Sequence, residues 1–154
     1  MPTATCLCGA CHIKIDTIIA TGIWHCTTCR KMTSAPYSIN AISPTSAFHL
    51  VSGSPKSRKL TADTGVVSTL TFCGDCSSAL WVEYSPMPEI RILKAGVLDG
   101  DDALELQALK PLVEQFTKRR APWLCAVEGA QQFAGQQGAT EATEMLAEIV
   151  VQKD

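Results

Sequence analysis

MPTATCLCGA at residues 1–10 and TFCGDC at residues 71–76 decide the fold. They place Cys6-Leu7-Cys8 and Cys73-Gly74-Asp75-Cys76 more than sixty residues apart. Four thiolates from two close pairs are a usual shell for a tetrahedral Zn²⁺. Cys6, Cys8, Cys73 and Cys76 therefore predict one structural zinc that staples the first turn to a mid-chain hairpin. Such a site leaves the ion no open position for substrate. Its effect on function is indirect, through the sheet it holds.

The strand pattern around these pairs supports that picture. Cys11-His12-Ile13-Lys14-Ile15 alternates, and Ile18 to Ile23 is a short apolar run that ends at Trp24. Tyr37 to Ile42, Phe48 to Val51 and Lys59 to Thr61 read as further strands. Val66 to Phe72 is rich in β-branched residues and runs into the Cys73 turn, from which Ala79 to Tyr84 returns. Ile90 to Val97 and Leu112 to Phe116 complete the set. Strands at close intervals without a βαβ rhythm predict a mainly β domain of short antiparallel strands. Only Cys26 to Met32 suits a helical turn. From Thr140 to Val151, apolar Ala142, Met145, Leu146, Ile149 and Val150 fall at helical spacing. The expected organisation is a zinc-binding domain over 1–138 and a C-terminal helix over 139–154, packed on the domain or at a homodimer contact.

Composition narrows the class of function. The 154 residues carry a formal net charge of −2, with no electrostatic case for nucleic acid. No apolar stretch approaches the roughly 20 residues needed to cross a bilayer, and no basic start precedes an apolar run. Eight cysteines without a secretory signal point to a reducing, cytoplasmic setting and to metal ligation rather than disulfides. The alternative, a four-disulfide secreted domain, is disfavoured because bridges within such close pairs would be strained. Asp99-Gly100-Asp101-Asp102 lacks the remaining ligand positions of a calcium loop.

A third cluster, Trp24-His25-Cys26-Thr27-Thr28-Cys29-Arg30, bears on catalysis. Cys26 and Cys29 have the C-x-x-C spacing of a metal knuckle, which needs a third ligand to make an open zinc site; Cys11 and His25 are the candidates. Free or redox-active thiols are the competing reading of the same pair. Cys125, alone in an apolar stretch, reads as a small buried hydrophobe. His12 and His49 receive no catalytic role.

Cys6-Leu7-Cys8-Gly9-Ala10, His25-Cys26-Thr27-Thr28-Cys29-Arg30-Lys31, Ala35-Pro36-Tyr37, Phe72 to Cys76, Ala95 to Asp99 and Phe116 to Trp123 together resemble the glutathione-dependent formaldehyde-activating enzyme (CENP-V/GFA) family. The resemblance extends over about residues 5 to 134. It implies an Mss4-like fold with a structural zinc on Cys6, Cys8, Cys73 and Cys76. It also implies a catalytic zinc on a C-x-C-x-x-C motif, and carbon–sulfur lyase chemistry exemplified by S-hydroxymethylglutathione. In this chain the first position of that motif is Trp24, which cannot ligate zinc. The expectation is that Cys11 joins Cys26 and Cys29 around a second zinc acting on a thiol adduct of the glutathione type. The alternative is a divergent member without the catalytic zinc, either a non-catalytic zinc module or an enzyme with metal-independent small-molecule chemistry. Lys118, Arg119 and Arg120 are candidates for a substrate carboxylate, and Tyr37 and Trp81 for pocket walls.

Overall fold

The computed structural model describes residues 1–100 and 110–136. The expected C-terminal helix, and with it the division at 138/139, lies outside them.

The described residues are mainly β. Three strands, β1 (Thr3–Thr5), β2 (His12–Ile15) and β5 (Phe48–Ser52), form a small antiparallel sheet in the order β1-β2-β5. The larger sheet takes β3 (Ala20–Trp24), β4 (Ser38–Pro44), β6 (Lys56–Thr61), β7 (Val67–Phe72), β8 (Ala79–Tyr84), β9 (Ile90–Lys94), β10 (Val113–Gln115) and β11 (Gln131–Gln132). Their spatial order is β11-β10-β3-β4-β9-β8-β7-β6. One helix, α1 (Thr27–Thr33), follows β3 and carries the C-x-x-C pair at its start.

The strands foreseen from periodicity are present. The short β1 and β11 lie in sequence with too little alternation to announce them. A second difference is direction: β10 pairs parallel with β3 and with β11. Parallel neighbours require a long crossover, and here the whole chain between Trp24 and Val113 supplies it. Gly22 is required at the β3–β10 seam. A Cβ there would stand 2.9 Å from Val113 Cγ2 and 3.3 Å from its carbonyl oxygen.

The alternation of side chains sorts the large sheet into two faces. Ala41, Leu93 and Trp81 lie side by side across β4, β9 and β8. They pack with Ile13, Ile15 and Leu80 against the small sheet and the cysteine knuckles. One residue further along, Ile42, Ile92 and Val82 form the matching row on the opposite face, with Ala20, Met87 and Ile90. Continuing Ile90, Ile92 by two brings Lys94 onto this second face, opposite Asn40.

Candidate metal centre and candidate active site

The two cysteine pairs meet. Gly9, at φ 79°, lets the first knuckle turn back, and its N–H donates to the Cys6 carbonyl at 2.9 Å. The second knuckle closes when the Ser77 N–H donates to the Cys73 carbonyl at 3.0 Å. Sulfurs of Cys6 and Cys8 are 3.5 Å apart, those of Cys8 and Cys73 are 3.8 Å apart, and all four lie within 4.8 Å of one another. A tetrahedron with Zn–S bonds of about 2.3 Å has edges of about 3.8 Å, so the quartet fits zinc. The Cys11 amide donates to Cys6 Sγ at 3.2 Å, and Ser78 Oγ lies 3.2 Å from Cys76 Sγ. These contacts orient two of the sulfurs and help hold them as thiolates. The Ser78 contact is the main reason the Cys76 thiol is drawn down to about 5.

Cys11 corrects an expectation. It is 1% exposed and belongs to the core around Cys6 and Cys73. Burial, with Cys73 and Cys6 beside it, pushes its thiol up to about 12. Gly53, at φ 97°, seals the far side: a Cβ there would lie 2.9 Å from Cys11 Sγ and 2.6 Å from the Ala10 carbonyl oxygen. The short step from Cys8 into β2 ties Cys11 to the quartet, so it is not placed with Cys26 and Cys29.

Those two cysteines open onto the other face of the large sheet. Cys26 caps α1: its sulfur accepts from the Cys29 N–H at 3.1 Å. Both thiols line a cavity of about 140 Å³ with mostly apolar walls, among them Trp24, Met32, Ile92, Val82 and Met87. Lys94 lines the same cavity. It is 6% exposed, and its ammonium donates to Asn40 Oδ1 at 2.8 Å and Ser38 Oγ at 3.1 Å. Ser38 Oγ in turn donates to Asn40 Oδ1 at 2.9 Å. The ammonium also stands 5.9 Å from the Trp24 ring centre. Burial draws Lys94 down to about 8, against the pull of the Cys29 and Cys26 thiols. Cys26 is lowered to about 7, chiefly by the hydrogen bond from the Cys29 thiol. Burial opposes that shift, while the Cys29 amide and the Lys94 charge favour it. The Cys29 thiol moves up, because it is the donor to Cys26 and is itself buried.

A family model described as glutathione-dependent formaldehyde-activating enzyme matches residues 1–119. The chain belongs to this family. Among solved structures, a Rhodobacter sphaeroides protein is similar at 21% identity and a TM-score of 0.54, over 68% of this chain and 94% of that one. That likeness concerns the fold. No curated protein sequence matches the chain.

For this GFA member the catalytic-zinc expectation can be tested on its own atoms. Among the described residues, the quartet is the one group of three or more His, Cys, Asp or Glu ligand atoms close enough to hold an ion. Among those residues, Cys26 and Cys29 have no third such partner. Trp24 lines the cavity where a third thiolate was expected, and Cys11 is committed elsewhere. His25, the other candidate, turns away: it is 2% exposed, with Nε2 3.7 Å from Glu114 and its ring edge-on to Tyr37. Burial holds His25 below the usual imidazole range. Burial would raise Glu114, but the Val127 N–H and Arg120 outweigh it and keep the carboxyl low. The described residues around Cys26 and Cys29 do not fit a second zinc.

Other candidates are also relocated. Arg119 pairs with Asp63 and donates to Thr27 Oγ1 at 3.1 Å; Arg120 pairs with Glu114 and Gln132. These two guanidiniums tie the 116–120 segment to the cavity rim and to β10. Trp81 packs edge-on to Phe48 in the opposite core, so neither it nor Tyr37 is a cavity wall; Trp24 and Tyr84 are. Cys125 is exposed rather than buried, in an irregular stretch. Lys94 was missed by reading motifs. Its signal was a lysine at the inward position of Ile90-Arg91-Ile92-Leu93-Lys94, where strand alternation calls for an apolar residue.

Proposed function

We propose that the cavity beneath α1 makes and breaks carbon–sulfur bonds, joining a small thiol of the glutathione type to a small apolar carbonyl compound and reversing that step. The observation that carries this reading is one apolar cavity holding two cysteine thiols and a buried lysine. Apolar walls would take the hydrocarbon part of the carbonyl compound and exclude water around its carbon. Lys94 is fixed by Asn40 and Ser38, so it can meet an oxygen that gains negative charge without reorganising. Cys26, with its thiol near 7, supplies a group that gives and takes a proton at neutral pH. Family membership supports carbon–sulfur chemistry of this class.

The zinc is assigned to the quartet, whose role is to hold the knuckles. None of the eight cysteines is in a disulfide, which supports a reducing setting such as the cytoplasm. No helix among the described residues is long and apolar enough to cross a membrane.

The test is exchange NMR with ¹³C-labelled aldehydes and glutathione, measuring interconversion of free aldehyde and thiohemiacetal. Acceleration by the protein that drops at least about a hundredfold in Cys26→Ser is expected, the scale of a lost acid–base group. No acceleration with any aldehyde, from formaldehyde to branched four-carbon chains, would refute the reading.

A further inference from the structure

We infer that Lys94 replaces the second metal, so that Cys26 and Lys94 form a metal-free covalent site for a small aldehyde. This rests on the proposed carbon–sulfur chemistry and names its electrophilic group.

The first ground is the charge on Lys94. It is an almost fully buried ammonium, yet no ion pair of Lys94 with Asp or Glu occurs among the described residues. Its contacts are the neutral Ser38 and Asn40. A buried charge without a counter-charge is costly; of the anionic candidates on the same cavity wall, Asp63 is paired with Arg119, which leaves the cysteine sulfurs. The second ground is stoichiometry of donors. An ammonium has three N–H bonds, and two are taken by Asn40 and Ser38, which leaves one for a ligand. The third ground is the failed ligand set: two thiols, an indole, an ammonium and a carboxylate already paired with Arg119 line a space where three thiolates would be needed for a metal.

The step that follows conserves atoms and electrons. The Cys26 thiolate forms an S–C bond to the carbonyl carbon, and the C=O π pair moves to oxygen. The free N–H of Lys94 donates to that oxygen and passes it a proton, which gives a thiohemiacetal and a neutral amine. Reversal breaks the S–C bond, returns the proton to Lys94, and presents the aldehyde to a second thiol. No oxidant or reductant enters. The apolar walls favour aldehydes with short hydrocarbon chains over charged ones.

The test uses the purified full chain grown with zinc in excess. Wild type, Cys26→Ser, Lys94→Met and Lys94→Arg are analysed for zinc by mass spectrometry, and Cys26 alkylation by iodoacetamide is followed at peptide level against pH. We expect one zinc per chain in all four, which also reports that the quartet is folded. In wild type the alkylation midpoint is expected near 7. In Lys94→Met it moves up and the rate at pH 7 falls about fivefold, the change in thiolate fraction for a midpoint one pH unit higher. Lys94→Arg keeps most of the wild-type profile. Two zincs in wild type with one in Cys26→Ser would overturn the inference, as would an alkylation profile indifferent to Lys94→Met. Should Lys94→Met lose its zinc, the wild-type metal count and Lys94→Gln decide in the same way. Both readouts are independent of turnover, so a protein that passes them yet accelerates no thiol–aldehyde exchange refutes the proposed reaction and leaves the pair standing.

Discussion

Raising the pH should relieve a cost of folding carried by Lys94. Its ammonium is buried and lies at about 8 in the folded chain against an ordinary 10.5. The unfolded chain therefore holds more protons than the folded one between these values. Stability rises with pH wherever the unfolded state binds more protons, so the term is absent below about 8 and complete above 10.5. At about 1.4 kcal/mol for each pH unit separating the two values, the full gain is about 3 kcal/mol. The assay is urea unfolding followed by circular dichroism from pH 7 to 10.5, on wild type and Lys94→Met. Thiols away from Lys94 contribute equally to both curves, whereas Cys26 is shifted in Lys94→Met, so the lysine is isolated between about pH 9 and 10.5, where Cys26 is ionised in both proteins, folded and unfolded. Lys94→Met should be the more stable protein at pH 7, and the two should converge toward pH 10.5. Parallel curves, or a wild type that weakens relative to the variant as pH rises, would refute the buried, uncompensated ammonium.

Three further outcomes follow from the geometry. Cys73→Ser, or zinc removal by a strong chelator, should lose the single metal and cost roughly 5 kcal/mol or more, read as lost β-structure in circular dichroism. Gly53→Ala puts a methyl 2.6 Å from the Ala10 carbonyl oxygen at φ 97° and should cost about 2–3 kcal/mol in urea unfolding, with weaker zinc retention under competition by a chelating dye. Trp24→Cys replaces an indole on the cavity wall with a thiol beside Cys26 and Cys29, and should raise the zinc count from one to two per chain. An unchanged count would mean that more than the indole separates this wall from a metal site.

Much of the architecture was legible because the informative groups are local in sequence. Each cysteine pair sits on a knuckle defined by a few residues, and tetrahedral zinc leaves little choice about how two such pairs combine. Strand alternation located β7, β8 and β9 for the same reason. The parallel β3–β10 pairing was not legible. Only Gly22 betrays it, and nothing local says which distant strand will approach. Cys11 lies close to Cys8 in sequence but is not free to reach Cys26, because its amide and thiol are already committed to the Cys6 loop. The cavity was half visible: Cys26 and Cys29 declare themselves by spacing. Lys94, Asn40 and Ser38 come from two strands whose register, Asn40 opposite Lys94, is set only when the sheet assembles.

The large sheet separates its two centres by a single layer. Trp81 faces the knuckles while its neighbour Val82 faces the cavity, and Leu93 and Ile92 repeat that division one strand over. An enzyme built this way would be zinc-dependent in every assay that strips metal, although the metal never meets the substrate. Inhibition by a chelator should then lag behind zinc release and keep pace with the loss of sheet structure. A metal-depleted cell would lose this activity through protein turnover rather than through an empty catalytic centre.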